Sequence, residues 1–132
     1  MNVRSGIAPI RRYIDEGLRI GLGTDISGGS TLDMAQALRD ALSSSRLPWR
    51  LGEEKYPHLT AREAFWLATA GGGAYFGKVG KFEPGYDFDA VAVDDTAWRW
   101  ESDDLETRFN KMIYTAGSGN VVAKYVAGEK LI

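Results

Sequence analysis

Arg19-Ile20-Gly21-Leu22-Gly23-Thr24-Asp25-Ile26-Ser27-Gly28-Gly29 is the stretch on which the fold turns. It spells a short apolar strand that closes on Thr24-Asp25 and runs straight into a glycine-rich turn. In parallel α/β proteins the side chains at the carboxyl ends of strands point into the ligand crevice, which places Asp25 where chemistry occurs. The bland alternative for Asp25 is an N-cap after a strand, a role Asp fills often. Gly21-x-Gly23 matches a dinucleotide fingerprint weakly, since Ile26 stands where the third glycine is required and the next glycine is Gly28; a nucleotide-binding module would require phosphate affinity at the loop 21–29.

Outward from that strand, helix and strand signals alternate. Upstream, Ile7, Ile10 and Ile14 have helical spacing, Pro9 suits a first turn and Gly17 a stop, so residues 7–16 are expected to be helical. Downstream, Ser30 and Asp33 resemble a capping box ahead of the apolar stripe Met34, Ala35, Leu38, Ala41 and Leu42, with the helix expected to end in the serine run 43–45. Residues 47–59, carrying Pro48 and Pro57, read as a loop on the crevice side. Thr60-Ala61-Arg62-Glu63 is a clear capping box for a further helix, which Gly71-Gly72-Gly73 is expected to interrupt. The last third shifts toward β structure. Residues 78–85 are turn-rich and residues 89–94 read as a strand. Leu105, Phe109, Met112, Ile113 and Ala116 predict a helix over 104–115, followed by a strand over 121–126, a turn at 127–129 and a return partner at 130–132.

Composition narrows the function classes. The 132 residues are 44% hydrophobic and 26% charged, which suits one packed core. A net charge of −2 without a basic block gives no electrostatic footing for nucleic acid or an anionic membrane. Trp49, Trp66, Trp98 and Trp100 therefore read as packing residues rather than as base-stacking platforms. There is no cysteine, which excludes disulfides and thiolate ligands. The opening residues precede no long apolar run, so neither a signal peptide nor a membrane span is expected and the expected location is cytoplasmic. His58, the single histidine, sits in a polar loop without a second ligand at metal spacing and reads as a surface residue. Asp87 and Asp89 flank Phe88 at a strand entrance and read as solvated turn carboxylates rather than a catalytic pair.

Gly-Leu-Gly-Thr-Asp at 21–25 with Gly28-Gly29, Leu32-Asp33-Met34, the run Leu59-Thr60-Ala61-Arg62-Glu63-Ala64, and Leu67-Ala68-Thr69 together resemble the closing portion of the guanine deaminase branch of the metal-dependent amidohydrolases. Residues 78–85 with Asp87, Asp89 and Val91 resemble the return from the barrel of such enzymes to a small β-sandwich, and residues 126–131 resemble its final hairpin. The resemblance implies an α/β fold: the carboxyl-terminal part of a (β/α)8 amidohydrolase barrel over residues 1–77, plus strands of the accessory β-sandwich and one helix over 78–132. A complete barrel needs about 250 residues.

The resemblance further implies a zinc-dependent hydrolysis of guanine to xanthine and ammonia, with Asp25 as metal ligand and as the general acid/base that moves the proton from water to the leaving amine. A catalytic zinc takes about three protein ligands, and the family's histidines and its proton-shuttling glutamate have no counterpart in this sequence. The expected partners are a purine substrate in the parent enzyme and either a complementing amino-terminal part or further copies of the chain, with no nucleic acid and no membrane. The isolated chain is expected to be inactive. The competing reading is a non-catalytic α/β folding or interaction domain derived from the same scaffold.

Overall fold

The computed structural model describes residues 6–52 and 56–132; Met1 to Ser5, and residues 53–55 within the expected loop at 47–59, lie outside the described residues. Helix α1 (Ile10–Asp15) is shorter than its apolar spacing suggested. It ends as expected at Gly17, whose φ of 72° belongs to the left-handed region. The Gly17 amide donates to Ile14 and the Leu18 amide to Tyr13, the two bonds of a Schellman stop.

Residues 19–24 were expected to form a strand, and here the structure differs. They run extended, and along residues 19–25 Ile20, Leu22 and Thr24 are half-buried while Arg19, Gly21, Gly23 and Asp25 are exposed. The alternation is that of a strand, but no described segment pairs with it as one. A strand is defined by its neighbours, and this segment docks instead on a helix: the Leu22 amide donates to the Leu67 carbonyl at 2.9 Å.

Helix α2 (Met34–Leu51) starts at Asp33, whose carboxylate accepts from the Ala35 amide at 2.9 Å, so Asp33 and not Ser30 is the cap. The helix also runs through the serines and past Pro48. The Ser44 and Ser45 hydroxyls donate back to the carbonyls of Asp40 and Leu42, so they decorate the helix instead of ending it. Gly52 then closes it by donating to the Pro48 carbonyl.

Helix α3 (Ala61–Trp66) has the capping box expected at Thr60 and Glu63. It passes into a π-helical turn, Leu67–Gly71, and continues helically over Gly72 and Gly73, so the three glycines do not interrupt it. Strand β1 (Ala90–Val93) follows, then helix α4 (Leu105–Thr115) capped by Asp104, strand β2 (Val121–Val126) and strand β3 (Glu129–Lys130). The three strands form an antiparallel sheet in the order β1-β2-β3, with Ala90 opposite Tyr125 and a bulge between Ala92 and Val93. The Asp89 carboxylate accepts from the Ala127 amide at 2.7 Å, so it pins the β2–β3 turn rather than standing free in solvent.

The core is helical. Leu38, Ala41 and Leu42 of α2 meet Leu59, Ala64 and Leu67 from the α3 region and Ile113 of α4, with Ile20 and Leu22 of the extended segment packed against them. The extended segment and α4 thus share one apolar cluster. Among the described residues no helix is long and apolar enough to cross a membrane.

Candidate active site

Close backbone contact sets the position of the Asp25 segment. A Cβ on Gly21 would lie 2.7 Å from the Cα of Gly72 and one on Gly71 2.9 Å from the Ile20 carbonyl oxygen, so Gly21 and Gly71 let the extended chain lie against the end of the α3 π-turn. The Leu67 carbonyl, accepting from both Leu22 and Gly72, joins that turn to the extended segment. The Tyr75 hydroxyl adds a hydrogen bond to the Arg19 carbonyl. The glycine run after α3, which reads as a breaker in sequence, acts here as a packing surface.

At the end of this segment the chain turns sharply. Asp25 has φ 50° and Ser27 φ 77°, both left-handed, a region that Asp tolerates better than most residues. The amides of Gly28 and Gly29 both donate to the Asp25 carbonyl, the former at 2.9 Å, closing the loop back on itself. The Asp25 side chain is exposed, and among the described residues it has neither a hydrogen-bond nor an ion-pair partner. Its neighbour Ile26 is 61% exposed. The result is a free carboxylate on a hydrogen-bonded turn, an arrangement that can accept a proton or ligate a cation.

The other titratable groups singled out in sequence stand elsewhere. His58 packs edge-on to Trp49 with ring centroids 5.4 Å apart, and its Nδ1 lies 3.0 Å from the Leu59 carbonyl oxygen; it is half-buried rather than a surface residue. A cavity of about 740 Å³ lies between α1 and the end of α2, lined by residues that include Pro9, Arg11, Ser45, Pro48 and Tyr56 and none from 19–29.

Sequence reasoning did not single out the ion pair that fixes α1 to the start of α3. The Arg11 guanidinium donates to Glu63 at 2.6 Å and to the Pro57 carbonyl at 3.2 Å. That bond, reinforced by the amide and hydroxyl of Thr60, holds the Glu63 carboxyl at about 2, against the opposing effect of partial burial. A capping-box glutamate already has an assigned local role, so nothing in the sequence marked it for a distant arginine.

A divalent cation can be tested against these residues. Asp25 offers one carboxylate, and among the described residues no group of three or more His, Cys, Asp and Glu side chains could hold a metal ion. These residues do not fit a complete site, which takes about three protein donors.

Residues 1–131 match the model of the Amidohydrolase family, and the chain belongs to that family. Within it the similarity runs to guanine deaminases. The chain is 31% identical to guanine deaminase of Dictyostelium discoideum over 96% of its own length and 30% of that protein, and 35% identical to a probable guanine deaminase of Schizosaccharomyces pombe over 95% and 25%. It superposes on the crystal structure of guanine deaminase from C. acetobutylicum, solved with guanine bound in the active site, with a TM-score of 0.91 and 38% identity, covering 97% of this chain and 30% of that one. The chain thus spans between a quarter and a third of the curated relatives named here.

Proposed function

We propose that this chain is the carboxyl-terminal portion of a zinc-dependent guanine deaminase and that Asp25 is its contribution to the active site. The observation that carries this reading is the exposed, unpartnered carboxylate at the end of an extended segment docked on α3, in a chain similar to guanine deaminases along nearly its whole length. In this reading residues 1–77 supply the last barrel strand with its helices, and residues 78–132 supply the return segment of the accessory sandwich. The remaining metal ligands would come from outside the chain; a divalent ion held by them together with Asp25 would supply a water of lowered pKa. Asp25 accepts a proton as water adds to the purine carbon bearing the amino group. It then delivers that proton to the departing nitrogen, so that guanine and water become xanthine and ammonia. The isolated chain, with one donor of the set, is inactive.

The test is ammonia release and xanthine formation from guanine by the complete protein, beside the isolated chain and an Asp25→Asn variant. The complete protein is expected to turn over and the isolated chain not to. Asn keeps the shape and loses the proton acceptor, so turnover is expected to fall by roughly 10²-fold or more, the scale of a lost general base. A complete protein that folds yet leaves guanine unchanged would establish the non-catalytic alternative, and an unimpaired Asn variant would move the general base elsewhere.

A further inference from the structure

Gly28 and Gly29 close the same turn, and the structure separates their reasons for being glycine. A Cβ on Gly29 would collide with the Thr24 carbonyl oxygen and lie 3.0 Å from the Asp25 carbonyl oxygen, both backbone atoms, so the turn itself excludes a side chain there. Gly28 is different. Its φ lies outside the left-handed region, so its backbone suits any L-residue. What a Cβ on Gly28 would strike is the Asp25 carboxylate: Oδ2 in direct collision, Cγ at 3.0 Å and Oδ1 at 3.2 Å. No other atom is among its three nearest.

From this contrast we infer that Gly28 is a positioning residue whose missing side chain leaves the Asp25 carboxylate its place. The inference rests on the role proposed for Asp25. The three atoms nearest a methyl group at 28 all belong to the far end of a side chain that is exposed and otherwise unpartnered. The carboxylate can rotate away, so the fold is unaffected while the proton acceptor is displaced. A displacement of about 1 Å in a reacting group costs on the order of 10²-fold in rate.

The experiment compares Asp25→Asn, Gly28→Ala and the double variant in the complete protein, reading kcat and KM for guanine together with the midpoint of thermal unfolding. Gly28→Ala is expected to lower kcat by roughly 10- to 100-fold, to leave KM within about threefold, and to leave the unfolding midpoint where it is. In the double variant kcat is expected to equal that of Asp25→Asn alone, because once the carboxylate is gone its displacement has no further effect. A kcat for Gly28→Ala within twofold of wild type, a lowered unfolding midpoint, a KM effect without a kcat effect, or losses that multiply in the double variant would each overturn the inference. If Asp25→Asn itself keeps its kcat, the role proposed for Asp25 falls and the positioning role falls with it; if Asp25→Asn is impaired and Gly28→Ala is not, only the latter is lost.

Discussion

Glu63 shows how much a single residue can hold together. Its carboxylate is shared between the Thr60 amide and hydroxyl, which start α3, and the Arg11 guanidinium, which brings α1 to the same point. Because the folded protein holds this carboxyl at about 2 against an ordinary 4.5, the folded state binds fewer protons than the unfolded one between those values. The stabilisation is therefore fully present above about pH 4.5 and is lost as pH falls toward 2. Glu63→Gln is expected to lower stability to urea at pH 7, and the gap from wild type is expected to close as the pH approaches 2. A gap that stays constant down to pH 2 would show that the charge of Glu63 is not what matters. The position of Asp25 at the end of an extended apolar run was legible in the sequence, whereas the ion pair of Arg11 with Glu63 was not, because the two lie 52 positions apart.

Elements were legible where the signal was local. The capping box at Thr60 and the strand Val121–Val126 stand where the sequence put them, since each depends on residues within a few positions. The serine run and the glycine run misled for one physical reason: both were read for intrinsic propensity, while packing and side-chain hydrogen bonds decided. Ser45 is bound at both ends, donating to the Leu42 carbonyl and accepting from the Leu59 amide at 3.1 Å, so α2 gains a tertiary anchor where propensity alone suggested a stop. A similar long-range anchor closes α4. Arg39 of α2 donates to the carbonyls of Ile113 at 3.2 Å and Ala116 at 2.9 Å, supplying cationic donors at a helix end that carries no basic residue of its own in its last turn. Arg39→Met keeps much of the side-chain volume and removes those donors. It is expected to lower unfolding free energy by about 1.5–3 kcal/mol, the range for a hydrogen bond to a charged group. Urea melts of the two proteins check this, and equal midpoints would assign the carboxyl-terminal end of α4 to packing alone.

At the scale of the whole molecule, the surface tells against a self-sufficient unit. The chain exposes 9256 Å², whereas a compact monomer of 132 residues exposes roughly 6,900 Å². Part of the excess is apolar: Leu32, Phe76, Phe82, Trp100 and Leu105 are each more than 70% exposed. Among the described residues, the extended segment at 19–24 makes one backbone bond to a helix, accepts one from the Tyr75 hydroxyl and pairs with no strand, and β1 pairs on one side only. The strands β1 and β2 pair with each other, whereas the segment at 19–24 pairs with no described strand. Unpaired edges and uncovered apolar patches drive association, either with the remainder of a parent enzyme or between copies. The purified chain is expected to elute above its monomer mass at micromolar concentration, and light scattering on the same column measures it. Substituting Leu22 with Lys, which places a charge on the docked segment, would confound folding with association, so the informative change is Ile26→Lys at the exposed end of that segment. It is expected to shift the population toward monomer without loss of helical signal. A well-folded monomer for the unsubstituted chain would mean that the helical core satisfies the open segment by itself, and the part-barrel reading of the fold would fall with that result.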